Sequence, residues 1–276
     1  MADTNPLSNS RLAFIGCGVM AEAVIAGLLR KKLVGPEQIA GSHPRQARRE
    51  EMHVKYGVEM FEDNRDAVTA ASIVVLAVKP QRLHGVLQQL KGALVKNQLV
   101  VSVVAGAKME TIAEELLHAS IVRTMPNTPA QIGEGVTAWT ASAEVSEEQE
   151  SQVSAMLEAL GKTVRVENER QIDMATALSA TGPTYIFLVM EALIDAGVHM
   201  GFSRHVAQEL VHQTMLGSVL FARESHKHPA ELRNMVTSPG GTSAEAIYQM
   251  EKGSLRTVLS KAVWSAYQRA ESLGRR

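Results

Sequence analysis

The sequence predicts an α/β chain: a doubly wound parallel sheet domain over residues 1–168, followed by an all-α domain over residues 169–276. Up to about Val166, short β-branched runs alternate with helical stretches of 10–15 residues, the pattern of βαβ units. Beyond Asn168 the strand-like runs vanish, and Ala, Leu, Met, Gln and Glu dominate to the end. The strands also lack polar alternation, as strands covered by helices on both faces do.

Leu12-Ala13-Phe14-Ile15 is the first strand, with a small-residue helix from Val19 to Lys31 behind it. Ile39 to Ser42 holds the second-strand position, Ser72 to Val78 is the fourth strand and Leu99 to Val104 the fifth. Ser120 to Arg123 and Gly135 to Trp139 extend the parallel series. In the second half, Ile172 to Ala196 reads as one long helix that tolerates Gly182-Pro183. Helices over Arg204 to Glu224 and Pro229 to Met235 follow, then a Ser-Pro-Gly-Gly turn, a helix from near Ala244 and a terminal helix from about Leu255. Thr176 to Met190 is apolar nearly all round, so it needs cover on every side. A domain of about 100 residues barely supplies that alone, which points to a partner subunit.

Twenty-eight basic against 29 acidic residues leave no electrostatic footprint for nucleic acid or an anionic membrane. The single cysteine, Cys17, excludes an internal disulfide framework and fits a reducing compartment. The N-terminal segment has no apolar core and is not Arg-rich, so no signal or transit peptide is expected, and the location expected is the cytoplasm. The uncharged stretch Met174 to Met190 is short for a membrane span and carries a helix breaker, so a buried core helix is expected.

Gly16-Cys17-Gly18-Val19-Met20-Ala21 matches G-x-G-x-x-A between a strand and a helix. The first glycine allows the tight turn, the second lets a pyrophosphate approach the backbone, and the helix N-terminus offers N–H donors. This is the signature of a Rossmann-type dinucleotide site; Cys17 fills the turn rather than serving as a reactive thiol. An NAD site places an acid about 20 residues on. Here that position reads Ile39-Ala40-Gly41-Ser42-His43-Pro44-Arg45, with no acid before Glu50. Ser42 and Arg45, with Arg48 or Arg49 behind, suit a 2′-phosphate, so NADPH is expected, with NADH the weaker alternative. Lys79, after the fourth strand, is either a cofactor contact or an ordinary exposed lysine.

Val236 to Ser243 contains Ser238-Pro239-Gly240-Gly241-Thr242-Ser243. The glycines free N–H groups of Gly241, Thr242 and Ser243 for a carboxylate nest; alternatively, Thr242 or Ser243 is a plain helix cap. The residues alone leave both open. No His, Cys, Asp or Glu cluster has metal-ligand spacing, so no metal is expected.

The chain resembles the pyrroline-5-carboxylate reductases across nearly its whole length. The resemblance rests on Phe14 to Met20, Ala77-Val78-Lys79-Pro80, Arg123 to Pro129, Ser179 to Tyr185, Asp195 to Val198 and Thr237 to Thr242. It implies NAD(P)H-dependent reduction of the C=N bond of 1-pyrroline-5-carboxylate to L-proline. It also implies cofactor contacts from Gly16 to Met20, Ser42, Asn64, Ala77 to Pro80, Val103-Val104-Ala105 and Glu169. Ser238 and Gly240 to Ser243 match the substrate segment, where the hydroxyl of Ser243 or Thr242 would orient the ring nitrogen. A homodimer that builds a larger ring, a decamer, is implied too. Two departures stand out: Ser243 where the family usually has Thr, and Ser179-Ala180-Thr181-Gly182 for Ser-Gly-Ser-Gly.

Two rival readings fit less well. A 3-hydroxyacid dehydrogenase needs a catalytic lysine on the long helix, yet no lysine occurs between Lys162 and Lys227. A dinucleotide-sensing protein without catalysis leaves the Ser-Pro-Gly-Gly turn without a role.

Overall fold

The computed structural model describes residues 5–274. They form two compact units: the chain through Thr181 together with the segment from Ala266, and Gly182–Ser265.

The first unit is built on one eight-stranded sheet in the order β3-β2-β1-β4-β5-β6-β7-β8. In chain order its elements are β1 (Leu12–Ile15), α1 (Val19–Arg30), β2 (Ile39–Ser42), α2 (Gln46–Tyr56), β3 (Glu59–Phe61) and α3 (Asn64–Val68). Then come β4 (Ile73–Leu76), α4 (Pro80–Leu90), β5 (Leu99–Ser102), α5 (Met109–Leu116) and β6 (Ile121–Met125). β7 (Gly135–Ala141), α6 (Glu147–Glu158), β8 (Gly161–Arg165) and α7 (Glu169–Ala175) follow. Strands β1, β2, β4 and β5 are buried at every position, which is why their sequences run apolar without alternation. Phe14, Val24, Leu28, Val75 and Val101 pack on one face of the sheet. Ile15, Val74, Leu87, Val100 and Ile112 pack on the other.

The sheet departs from the expected all-parallel series at one place: β7 runs antiparallel to β6. Only residues 126–134 join them, containing a short 3₁₀ turn. A parallel crossover needs a dozen residues or more. After α6 the chain returns and β8 pairs parallel with β7.

Arg123 is the largest fully buried side chain, 1% exposed. It reaches from β6 to α7, donating to Glu169 at 3.1 Å and Asp173 at 2.6 Å. Two carboxylates offset the desolvation of one guanidinium, so the start of α7 is pinned to the sheet. The expected single helix over Ile172 to Ala196 is interrupted: α7 passes into a π turn, Thr176–Ala180, before the next helix. The Thr181 N–H and hydroxyl both donate to the Thr176 carbonyl, closing the widened turn.

The second unit contains α8 (Gly182–His199), α9 (Arg204–Ser225), α10 (Pro229–Met235) and α11 (Thr242–Lys252). It also holds the greater part of α12 (Leu255–Leu273). Pro183 sits in the first turn of α8, where a missing N–H costs nothing. Apolar side chains of this unit stand open in the single chain: Phe187 is 56% and Leu188 65% exposed, and Leu210, Val219 and Phe221 are similar. Glu169–His199 contains an 18-residue window apolar enough, by length and composition alone, to cross a membrane. Only 11% of that window is buried within the chain.

Candidate functional site

β1 and β4 are neighbours, and the chain leaves them in opposite senses, α1 covering one face and α4 the other. At such a switch point loops part and leave a crevice beyond the carboxyl ends of the strands. A cleft of about 690 Å³ lies there, lined by Gly16, Gly18, Val19, Ser42, Arg45, Asn64 and Ala77-Val78-Lys79, with His43 and Pro44. Nine expected cofactor residues therefore share one cavity.

The two glycines of the loop are needed for different reasons. Gly16 has φ +87°, and a Cβ there would stand 2.5 Å from Val78 Cγ1 and 3.1 Å from the Ala77 carbonyl. Gly18 has φ −83°, open to any residue, and a Cβ there would meet nothing within 4 Å. The protein leaves that space clear beside the start of α1. The Gly16 and Cys17 N–H groups both donate to the Ser42 carbonyl at 3.2 Å, and the Gly18 N–H to Gly16 at 2.8 Å. The first helical bond runs from Glu22 N–H to the Gly18 carbonyl, so the Val19 and Met20 N–H groups ahead of it remain for a phosphate. An open cradle with helix-terminal donors fits a pyrophosphate.

Cys17 is buried, and that burial pushes its thiol up to about 12, despite the lowering effect of Arg48. It fills the turn and is chemically quiet. The loop is braced by Arg48, whose Nε donates to the Cys17 carbonyl at 2.9 Å and whose guanidinium pairs with Glu22. Burial alone would raise the Glu22 pKa; hydrogen bonds from Arg48, Lys55 and Tyr56 outweigh it and hold the carboxyl at about 2. Arg49 donates to Glu62 and to the His43 and Pro44 carbonyls. The two arginines expected behind the 2′-phosphate position are therefore structural, and Arg45 is left exposed at the cleft with no ion pair among the described residues.

Ser42, at the end of β2, is fully buried; its hydroxyl donates to Asn64 Oδ1 at 2.7 Å. Burial, then the charges of Arg45, Arg48 and Arg49, push the His43 pKa below the usual histidine range. Sequence reasoning missed His43, Glu62, Arg82, Gly85, Val86 and Gln89 as cleft residues. The last four fall at i, i+3, i+4 and i+7, a helical stripe on α4 that the spacing alone could have revealed.

Met20, Pro80, Val103, Val104, Ala105 and Glu169 are not among the described residues that line this cleft. Val104 packs into the core beneath it. Ala105 packs with Met125, Ile172 and Ala180. Glu169 Oε1 accepts from the Met109 N–H at 2.9 Å as well as from Arg123.

In the second unit, Gly240 has φ +71° and Gly241 is the N-cap of α11, with no side chain capping it. The helix starts two residues earlier than expected, so Thr242 and Ser243 lie in its first turn and are not caps. The Gly241 N–H, expected to face a carboxylate, donates instead to the Ser238 carbonyl at 3.0 Å. The first helical bonds run from Ala244 and Glu245 to the Gly241 carbonyl. That leaves the Thr242 and Ser243 N–H groups, with the positive end of the helix dipole behind them. Among the described residues no group of three or more His, Cys, Asp or Glu is placed to hold a metal ion.

The strand order, the glycine loop at the switch point and the cleft beside it define a Rossmann-type dinucleotide-binding protein. Comparison with known proteins narrows this. Residues 169–273 match the family model described as pyrroline-5-carboxylate reductase dimerisation. Residues 11–106 match that of NADP oxidoreductase coenzyme F420-dependent. A pyrroline-5-carboxylate reductase of Synechocystis sp. is 40% identical over 96% of this chain and 99% of its own. One from Pseudomonas aeruginosa is 40% identical over 97% and 98%. Among solved structures, a pyrroline-5-carboxylate reductase from Coxiella burnetii superposes with TM-score 0.89 at 37% identity, over 96% of this chain and 99% of that one. The Plasmodium falciparum pyrroline carboxylate reductase, solved with NADP bound, gives 0.89 at 30%, over 97% and 99%. The chain belongs to the pyrroline-5-carboxylate reductase family.

Proposed function

We infer that the protein reduces 1-pyrroline-5-carboxylate to L-proline, with NADPH preferred over NADH. What carries the reading is the presence in one chain of two anion-ready helix starts: the open cradle at Gly18 and the uncapped α11 start at Thr242. The division of labour proposed is dinucleotide binding by residues 1–168, and substrate binding and dimerisation by residues 169–276. The dinucleotide's phosphates would meet the Val19 and Met20 N–H groups, its adenosine ribose Ser42 and Asn64, and a 2′-phosphate Arg45. The remaining expected contacts, Pro80, Val103 to Ala105 and Glu169, would serve the rest of the cofactor.

When bound, the reduced nicotinamide supplies the hydride; the protein's task is to hold the imine and exclude misorientation. The Thr242 and Ser243 N–H groups grip the substrate carboxylate, with Ser238, Gly240 and Gly241 shaping the turn. The hydroxyl of Ser243, or of Thr242, hydrogen-bonds the ring nitrogen, and a protonated imine needs no stronger acid. The exposed apolar faces of α8 and α9 are covered by a second copy, and dimers assemble into the decamer that the family resemblance implies. We place the enzyme in the cytoplasm, away from membranes and nucleic acid, and without a metal.

Steady-state oxidation of NADPH on adding pyrroline-5-carboxylate tests this, with NADH expected to be slower. A sensor would show no turnover, and a hydroxyacid enzyme would need another substrate. Ser243→Ala is expected to lower kcat/KM about ten- to hundredfold; unchanged kcat and KM would remove Ser243 from the site.

A further inference from the structure

Three side chains in the cleft form a hydrogen-bonded line. Ser42 Oγ donates to Asn64 Oδ1 at 2.7 Å, and Asn64 Nδ2 donates to Gln89 Oε1 at 2.6 Å. The carbonyl of Gln89 is itself held by Arg65 Nε at 2.6 Å, so the residue at the end of the line has a fixed backbone. All three residues line the same cavity as Arg45.

The direction of this line has a chemical consequence. With its proton on Asn64, the Ser42 oxygen can only accept a further hydrogen bond. A ribose 2′-hydroxyl can donate to it; a 2′-phosphate, which only accepts, cannot. If the Gln89 amide turns its NH₂ toward Asn64, the Asn64 amide reverses, its own NH₂ donates to Ser42, and the Ser42 proton becomes free for a phosphate. Each bond lost in the reversal is remade, so both directions are open to an amide at position 89.

We propose that Gln89 is a positioning residue for cofactor choice: acting through Asn64, it sets whether Ser42 accepts from a 2′-hydroxyl or donates to a 2′-phosphate. This rests on the reading of the cleft as the dinucleotide's ribose site. A carboxylate at position 89 accepts only, so it locks the direction seen here and disfavours the phosphorylated dinucleotide.

The test measures dissociation constants of NADP⁺ and NAD⁺ by calorimetry, without substrate, for wild type, Gln89→Glu, Ser42→Ala and the double variant. Gln89→Glu is expected to weaken NADP⁺ relative to NAD⁺ by about tenfold or more, the loss of one charge-assisted bond. In the Ser42→Ala background the same substitution is expected to change that ratio less than about twofold, because the group it controls is gone. An equal drop in both backgrounds would mean simple charge repulsion and would overturn the proposal, as would an unchanged ratio in Gln89→Glu. Arg45→Ala separates the two levels: if it still weakens NADP⁺ selectively, the ribose site stands without the relay. If it leaves both constants unchanged, the site itself is wrong.

Discussion

Replacing each loop glycine by alanine separates folding from binding at one locus. Gly16→Ala forces a side chain into left-handed backbone, costing about 1–2 kcal/mol. It also sets a Cβ 2.5 Å from Val78 Cγ1 and 3.1 Å from the Ala77 carbonyl, and such overpacking costs about 1–3 kcal/mol more. The sum, about 2–5 kcal/mol, lowers Tm by roughly 5–15 °C in a chain of this size. Gly18→Ala has ordinary backbone angles and no neighbour within 4 Å. Its unfolded-state entropy gain, about 0.4–1 kcal/mol, opposes the poorer N-cap quality of alanine, leaving Tm within about 3 °C. Its methyl nevertheless occupies the space assigned to a phosphate, so NADPH affinity should fall about tenfold or more. Thermal melting and a fluorescence titration with NADPH read the two effects separately. A Gly18→Ala protein that binds NADPH within twofold of wild type would refute the assignment of that space.

Other outcomes follow from the same geometry. The depressed Glu22 carboxyl stabilises the fold above the usual carboxylate range, and that stability is lost as pH falls toward about 2. Glu22→Gln should therefore cost about 1–2 kcal/mol at pH 7 and less at pH 3, read by urea unfolding; an equal loss at both would exclude the charge as its source. Leu188→Asp places a carboxylate on an apolar face and should shift the protein toward monomer in sedimentation, whereas unchanged assembly would show that this face is not an interface.

The sheet domain was legible because its strands are buried on both faces and carry their own signal; β1, β4 and β5 could be read directly. β3, half-exposed and three residues long, offered no run to detect. β8 carries Lys162 and Arg165 on exposed positions, which hid a strand among polar residues. The reversal at β7 depends on the length of a connection, not on strand composition. At the site, the glycine spacing announced the loop, but the division of Arg45 from Arg48 and Arg49 did not show: Arg48 braces the loop through Cys17 and Glu22, 26 or more residues away, and three neighbouring arginines look alike in the sequence. The π turn was invisible because Thr176 to Ala180 suits an ordinary helix equally well; only the Thr181 bonds to Thr176 reveal it.

Arg48 grips the Cys17 carbonyl while Glu22, one turn into α1, grips Arg48. The loop is thus moored to the helix that it opens. A backbone held this way has little freedom left to surrender when a dinucleotide arrives, so more of the contact energy survives as affinity. Association should then run at the rate of encounter, without a slow ordering phase in stopped-flow traces, and cutting the mooring with Arg48→Met should introduce one.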